Sequence, residues 1–211
     1  MILLVAVLLI AIIEALYIYN EKTSKPEGFG VSSGWKITSY CLVNEALYSG
    51  DKVEVFDSYG NSLGFYKSDF LEQIRTDGAG NGDGIQNPGK YLHYDYGIND
   101  GKTCYLADKS LGAYGEVRDW NDDKPTVAVN PQLPGGTMIR FADLGPEGGH
   151  NPDWVVKILE DKTFYVMDTF FGMGDEKRID VFVGLQKVKD PIGTAESLLM
   201  HDVTIRIGYP E

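Results

Sequence analysis

Arg178-Ile179-Asp180-Val181-Phe182-Val183 sets a carboxylate inside an apolar run, and Tyr165-Val166-Met167-Asp168-Thr169-Phe170-Phe171 does the same with its aspartate 12 residues earlier. Both stretches carry the two-residue period of a β-strand. An aspartate in such a run lies either on the outward face or against a cavity, where loss of solvent raises its pKa and suits it to donate a proton. Working outward, the same period predicts strands at Lys52–Phe56, Thr126–Val129, Thr137–Phe141, Val155–Leu159, Thr163–Met167, Ile179–Val183 and Val203–Ile207. Clusters of Gly, Asn, Asp and Pro separate them. Two short helices are predicted, Asp69–Arg75, with Asp69 and Glu72 at capping-box spacing, and Thr194–Met200. The 25 glycines and 13 tyrosines also favour β structure with tight turns. The fold class is therefore mainly β, a small closed or nearly closed barrel with modest helices.

The 211 residues include 31 acidic and 19 basic side chains, a net charge of −12. No run contains more than two adjacent basic residues, which argues against nucleic acid as a partner. An apolar fraction of 43% excludes a wholly disordered chain. The charges within the first 25 residues cancel, so the excess acid lies beyond them. Residues 1–20 are apolar apart from Glu14 and the final Asn20. Nineteen helical residues reach roughly 28 Å, close to the ~30 Å hydrocarbon core of a bilayer. The absence of a basic leader and of a small-x-small cleavage site favours a retained transmembrane anchor over a cleaved signal. Residues 21–34 are expected to be a polar linker and 35–211 the folded domain. Cys41 and Cys104 are a disulfide pair in an exported chain or two core thiols in a reduced one.

His93, His150 and His201 are scattered and no serine stands in a nucleophile elbow, so a Ser-His-Asp hydrolase has little support. No metal or other cofactor is expected, since the chain has no CxxC and no Cys/His cluster. In the glycine-rich segment Asp77–Gly84, a calcium loop would need a ligand where Ala79 stands and a glutamate where Pro88 stands. A mobile surface loop bordering a groove is the expectation there. Trp120, Trp154, Tyr94 and Tyr96 are candidate platforms for the apolar face of a sugar, with core packing the competing role.

The segment Val127-Ala-Val-Asn130-Pro131-Gln-Leu-Pro134-Gly-Gly136-Thr137, followed by Met167-Asp168-Thr169 and Arg178-Ile-Asp180-Val-Phe182, resembles the three-aspartate (3D) domain. That domain occurs in bacterial cell-wall proteins and in membrane-bound lytic transglycosylases. Trp35–Tyr40 looks like its opening strand. The resemblance implies a six-stranded double-psi β-barrel and an enzyme, a lytic transglycosylase acting on peptidoglycan glycan strands. Such an enzyme cleaves the β-1,4 bond between N-acetylmuramic acid and N-acetylglucosamine, leaving a 1,6-anhydro product. It implies Asp180 as catalytic acid and base, Asp168 as the carboxylate that orients it, and Asn130, Thr169, Trp120 and Tyr94 as substrate-binding positions.

One principal acid is chemically sufficient, because the sugar's own C6 hydroxyl attacks and no water need be activated. Asn130 stands where the family has its first aspartate, and Phe170-Phe171 where it has glycines. These departures motivate the alternative of a non-catalytic glycan-binding module of the same fold. Placement is expected to be membrane-anchored with the domain on the extracytoplasmic side. Lys22 and Lys25 favour instead a cytoplasm-facing scaffold.

Overall fold

The computed structural model describes residues 29–82, 87–96, 103–120, 123–169, 176–189 and 198–209. The expected anchor and most of the expected Thr194–Met200 helix lie outside them. Among the described residues no helix is long and apolar enough to cross a membrane.

Among the described residues, eleven strands and two α-helices follow in chain order. They are β1 (Gly30–Asn44), β2 (Lys52–Phe56), β3 (Ser62–Lys67), α1 (Ser68–Asp77), β4 (Ala79–Asn81), β5 (Tyr91–Tyr94) and β6 (Cys104–Ala107). Then come β7 (Thr126–Asn130), β8 (Met138–Asp143), α2 (Asp153–Asp161), β9 (Phe164–Thr169), β10 (Arg178–Leu185) and β11 (Leu199–Gly208). Six strands run β10-β7-β9-β8-β11-β1, and pairing of β1 with β10 closes them into a barrel. The pairs β1–β10 and β7–β9 are parallel, the remaining barrel contacts antiparallel. Closure leaves no exposed sheet edge in the barrel.

Strand alternation fills the interior. Ile37, Val127, Val129, Ile139, Phe164, Val166, Ile179, Val181, Val203 and Ile205 are all buried in one cluster. Each such side chain contributes roughly 1.5–3 kcal/mol of apolar burial.

A second core forms in the segment between β1 and β7. The far end of β1 continues through β4, β5 and β6, and the β2–β3 hairpin and α1 pack beside it. Phe70 and Ile74, one turn apart on α1, are buried with Val43, Tyr48, Val55, Tyr66, Leu92 and Cys104. A Cβ at Gly80 would stand 2.6 Å from the Phe70 ring, so the strand approaches the helix this closely only with glycine there.

Five sequence expectations are corrected. Val155–Leu159 is helical, not a strand: α2 begins after Pro152, burying Val155 and Leu159 on one face. Leu199 and Met200 open β11 and are not helical. β1 starts at Gly30, so Gly30–Ser32 of the expected linker pairs with β11. Asp69 does not cap α1; its carboxylate accepts the Ser49 and Gly50 N–H groups at 3.2 and 2.8 Å. In the glycine-rich segment, Gly78 ends α1 in the left-handed region and Ala79 and Gly80 are buried strand, not surface loop. Cys41 and Cys104 are both buried, one in each core, and form no disulfide with each other.

Candidate active site

Strands β1, β10, β7 and β9 lie side by side, and their outward faces form the floor of the site. On β10, Ile179 and Val181 point into the barrel, so Asp180 between them points out. It pairs with Thr38 of β1 on one side and Ala128 of β7 on the other. Plain alternation would send Asp168 inward with Phe164 and Val166. The register between β7 and β9 instead shifts: Val127 faces Val166, and the next residue, Ala128, faces Asp168. The extra residue on β9 turns Asp168 to the outward face. The two aspartates thus flank Ala128, two strand spacings or roughly 10 Å apart along the sheet. The methyl side chain of Ala128 leaves the space between them open.

The two carboxylates are held differently. Asp168 Oδ2 accepts the Tyr40 hydroxyl at 3.0 Å and pairs with Arg118 Nη2 at 2.7 Å, and its Oδ1 accepts the Ala113 and Thr169 N–H groups, each at 3.0 Å. Four donors match the roughly four lone-pair positions of a carboxylate. Asp180 Oδ1 accepts the Thr38 hydroxyl at 2.7 Å, while Oδ2 stands 3.9 Å from Arg178 Nη2, beyond hydrogen-bond reach. Arg178 Nε donates to the same Thr38 oxygen at 2.8 Å, so a relay runs from Arg178 through Thr38 to Asp180.

Electrostatics follow from this arrangement. Asp180 is only 9% exposed, and its carboxyl is pushed up to about 6. Burial is the main cause; Thr38 and Arg178 pull downward, and the charge of Asp168 adds to the rise. Burial likewise lifts the Tyr40 hydroxyl well above its ordinary value, with Asp168 reinforcing it. Burial works against the Arg118 charge, but Tyr40, Asp168 and Asp77 outweigh it and hold the guanidinium above its usual pKa. The guanidinium also lies 5.3 Å from the centre of the Tyr40 ring.

A cavity of about 680 Å³ opens over these residues, within the range of roughly 300–1,000 Å³ common for ligand sites. The barrel supplies Tyr40, Ala128, Asp168, Thr169, Arg178 and Asp180. The second core's segment supplies the facing wall, including Asp77, Gly78, His93, Tyr94, Tyr96 and Tyr105. The hairpin spanning residues 110–118, tied by Arg118 N–H to the Ser110 carbonyl at 2.8 Å, forms a further wall. A Cβ at Gly112 would collide with the Met167 carbonyl, at the bulge that turns Asp168 outward. Glycine therefore allows the hairpin to settle where Ala113 reaches Asp168.

Of the residues singled out in the sequence, the cavity gathers Asp168, Asp180, Thr169, Tyr94 and Tyr96. Asn130 is not among its lining; its side-chain amide donates to the Glu176 carbonyl at 2.6 Å. Trp120 lines a different hollow with Leu42, Tyr91 and Phe182, and its ring meets Trp154 edge to face at 6.3 Å. Trp154 is 52% exposed and is not a core residue. Thr38, Tyr40 and Arg118 were not singled out as site residues, and Asp77 was named only as the start of the glycine-rich segment. Thr38 and Tyr40 sit two apart beside the buried Ile37, which is the signal that could have found them.

No protein-family model matches the sequence, and a search of curated proteins finds no match. Comparison of the structures does find similarity. A crystal structure of E. coli MltA with bound chitohexaose matches 86% of this chain and 76% of its own, at 11% identity and a TM-score of 0.51. Another E. coli MltA crystal structure, described as revealing a unique lytic transglycosylase fold, covers 86% and 77% at 11% identity and a TM-score of 0.43. The fold of this chain is therefore similar to that of the E. coli MltA barrel.

Proposed function

We propose that the protein is a lytic transglycosylase that cleaves the β-1,4 bond between N-acetylmuramic acid and N-acetylglucosamine in peptidoglycan, with a 1,6-anhydro product. One observation carries the proposal: a buried aspartate, its carboxyl pushed up to about 6 by burial, lines a cavity of saccharide size. Asp180 protonates the leaving glycosidic oxygen, a contribution typically worth 10²–10⁴-fold. Burial is the main reason Asp180 holds its proton to about pH 6, and Asp168, fixed by its four donors, adds to that rise. Tyr94 and Tyr96, with ring centres 4.7 Å apart, offer faces for sugar rings, and Thr169 lines the same floor. The similarity to a glycan-bound barrel supports a glycan strand as the ligand. The parallel pairs β1–β10 and β7–β9 in a closed six-stranded barrel support double-psi topology. Residues 1–20 anchor the chain in a membrane, with the barrel on the extracytoplasmic side.

Incubating the protein with purified sacculi tests the activity. Anhydro-muropeptides are expected from the wild type, and Asp180→Asn lowers their release at least ~100-fold with the circular dichroism spectrum retained. Products carrying only reducing ends, or no products, overturn the assignment. A reporter fused to the C-terminus locates the domain relative to the membrane.

A further inference from the structure

Asp77 ends α1 and lines the same cavity as Asp180, yet the chemistry above gives it no part. We propose that Asp77 is a second proton-handling carboxylate of this site, the base that receives the proton of the attacking hydroxyl while Asp180 protonates the leaving oxygen. The proposal rests on the transglycosylase function.

Asp77 belongs to the wall that faces the barrel's acid-bearing floor. Arg118 spans the two: its Nη2 pairs with Asp168 at 2.7 Å, and its Nη1 donates to the Asp77 backbone carbonyl at 3.0 Å. One guanidinium thereby fixes the position of Asp77 relative to the row of barrel acids. Gln73, one turn earlier on α1, donates its side-chain amide to Asp77 Oδ2 at 3.0 Å and orients the carboxyl. A Cβ at Gly78 would stand 2.9 Å from Arg118 Nη2, so glycine leaves room for this clamp.

The placement is unfavourable for stability alone. A carboxylate at a helix C-terminus meets the negative end of the helix dipole, and burial adds to the cost. Costly titratable placements of this kind concentrate at functional sites. Burial pushes the Asp77 carboxyl up to about 6; Gln73 opposes this, the charge of Asp180 adds to it and Arg118 opposes it. Besides Asp180 and Arg118, the charged or titratable groups on the cavity walls are Arg75 on the same helix, Asp168, Arg178, His93, Asp95 and the hydroxyls of Tyr40, Tyr94, Tyr96 and Tyr105. Burial pushes His93 below its ordinary value, which makes it a poor source of positive charge near neutral pH. The charge of Asp180 thus adds to a rise at Asp77 that burial dominates.

The proton balance closes. The C1–O4 bond breaks and O4 takes the Asp180 proton; the C1–O6 bond forms and the O6 proton passes to Asp77. Transfer of that proton to Asp180, directly or through water, restores the starting state.

Initial rates on sacculi between pH 4 and 9 for the wild type, Asp77→Asn and Gln73→Leu, all as full-length chains, test this. The wild type is expected to give a bell, its acid limb from Asp77 and its alkaline limb from Asp180. Asp77→Asn is expected to lower kcat about 100-fold, leave KM within about twofold and abolish the acid limb. Gln73→Leu removes a donor that lowers the Asp77 pKa, so the acid limb moves to higher pH. An Asp77→Asn variant with wild-type rate and both limbs, or an unmoved acid limb in Gln73→Leu, overturns the proposal; should Asp77→Asn fail to fold, Gln73→Leu decides. A wild type that releases no anhydro product overturns the transglycosylase function and this proposal together, whereas product release with unaltered variants overturns the role of Asp77 alone.

Discussion

Asp180 and Asp168 have the same side chain and two different tasks, and the difference lies in their partners. The raised pKa of Asp180 has a consequence for folding. A carboxyl whose folded-state pKa lies near 6, above its ordinary 3.8, contributes stability that is complete below 3.8 and lost as pH rises through 6. Asp180→Asn is therefore expected to be more stable than the wild type at pH 7.5, by roughly 1–3 kcal/mol, and to lose that advantage near pH 3.5. Urea unfolding at the two pH values measures it. Thr38→Val removes a bond that lowers the Asp180 pKa, so the alkaline limb of the activity profile is expected to move up by about 0.5–1 in pH. The two aspartates were legible in the sequence because acids stand out in apolar runs. Their common direction was not, since the period alone points Asp168 inward and only the shifted register reverses it. Arg118 was illegible for a different reason: it lies outside any periodic run, and its importance comes from Asp168, fifty residues away.

The hairpin of residues 110–118 and the bulge of β9 fit each other at the level of elements. Gly112→Ala is expected to lift the hairpin from the Met167 carbonyl, break the Ala113–Asp168 hydrogen bond and cost about 1–3 kcal/mol. Thermal unfolding reports the loss, and activity falls with it. Arg118→Met leaves Asp168 buried without its cation and is expected to cost about 3–5 kcal/mol. Elements were legible where a short apolar run is bounded by turn residues, as in β7, β9 and β10, or where burial alternates, as in β8. α2 was misread because Val155, Val156 and Ile158 are β-branched and favour strands by propensity. Pro152-Asp153 was the helix-start signal that outweighed them. The three- and four-residue strands β4, β5 and β6 are too short to display a period.

Across the whole molecule, the barrel bears Asp168 and Asp180 and the second core bears the wall with Asp77, so the cavity exists only when both are folded. Phe70→Ala, outside the cavity lining but central to the second core, is expected to cost about 3–5 kcal/mol and to weaken activity through the wall it supports. The net charge of −12 opposes an anionic wall polymer. Raising salt from about 10 to 150 mM is therefore expected to lower KM for sacculi and to leave KM for neutral chitooligosaccharides unchanged. A barrel was legible from the strand pattern, whereas the second core was not, because nothing in composition separates residues 45–107 from the rest.

β1 was described above as the strand that closes the barrel, with Thr38 beside Asp180 across 142 residues of sequence. That separation orders events in time. During synthesis the second core has all its strands and its helix once β6 has emerged, and its β2–β3, β4–β5 and β5–β6 contacts are local. β1 must wait with one edge open until β10 and β11 arrive, the slow non-local step of a high-contact-order fold. Proton chemistry is thus the last property the nascent chain acquires, and a truncated chain ending before β10 has the wall, with Asp77 and Asp168, but lacks Asp180.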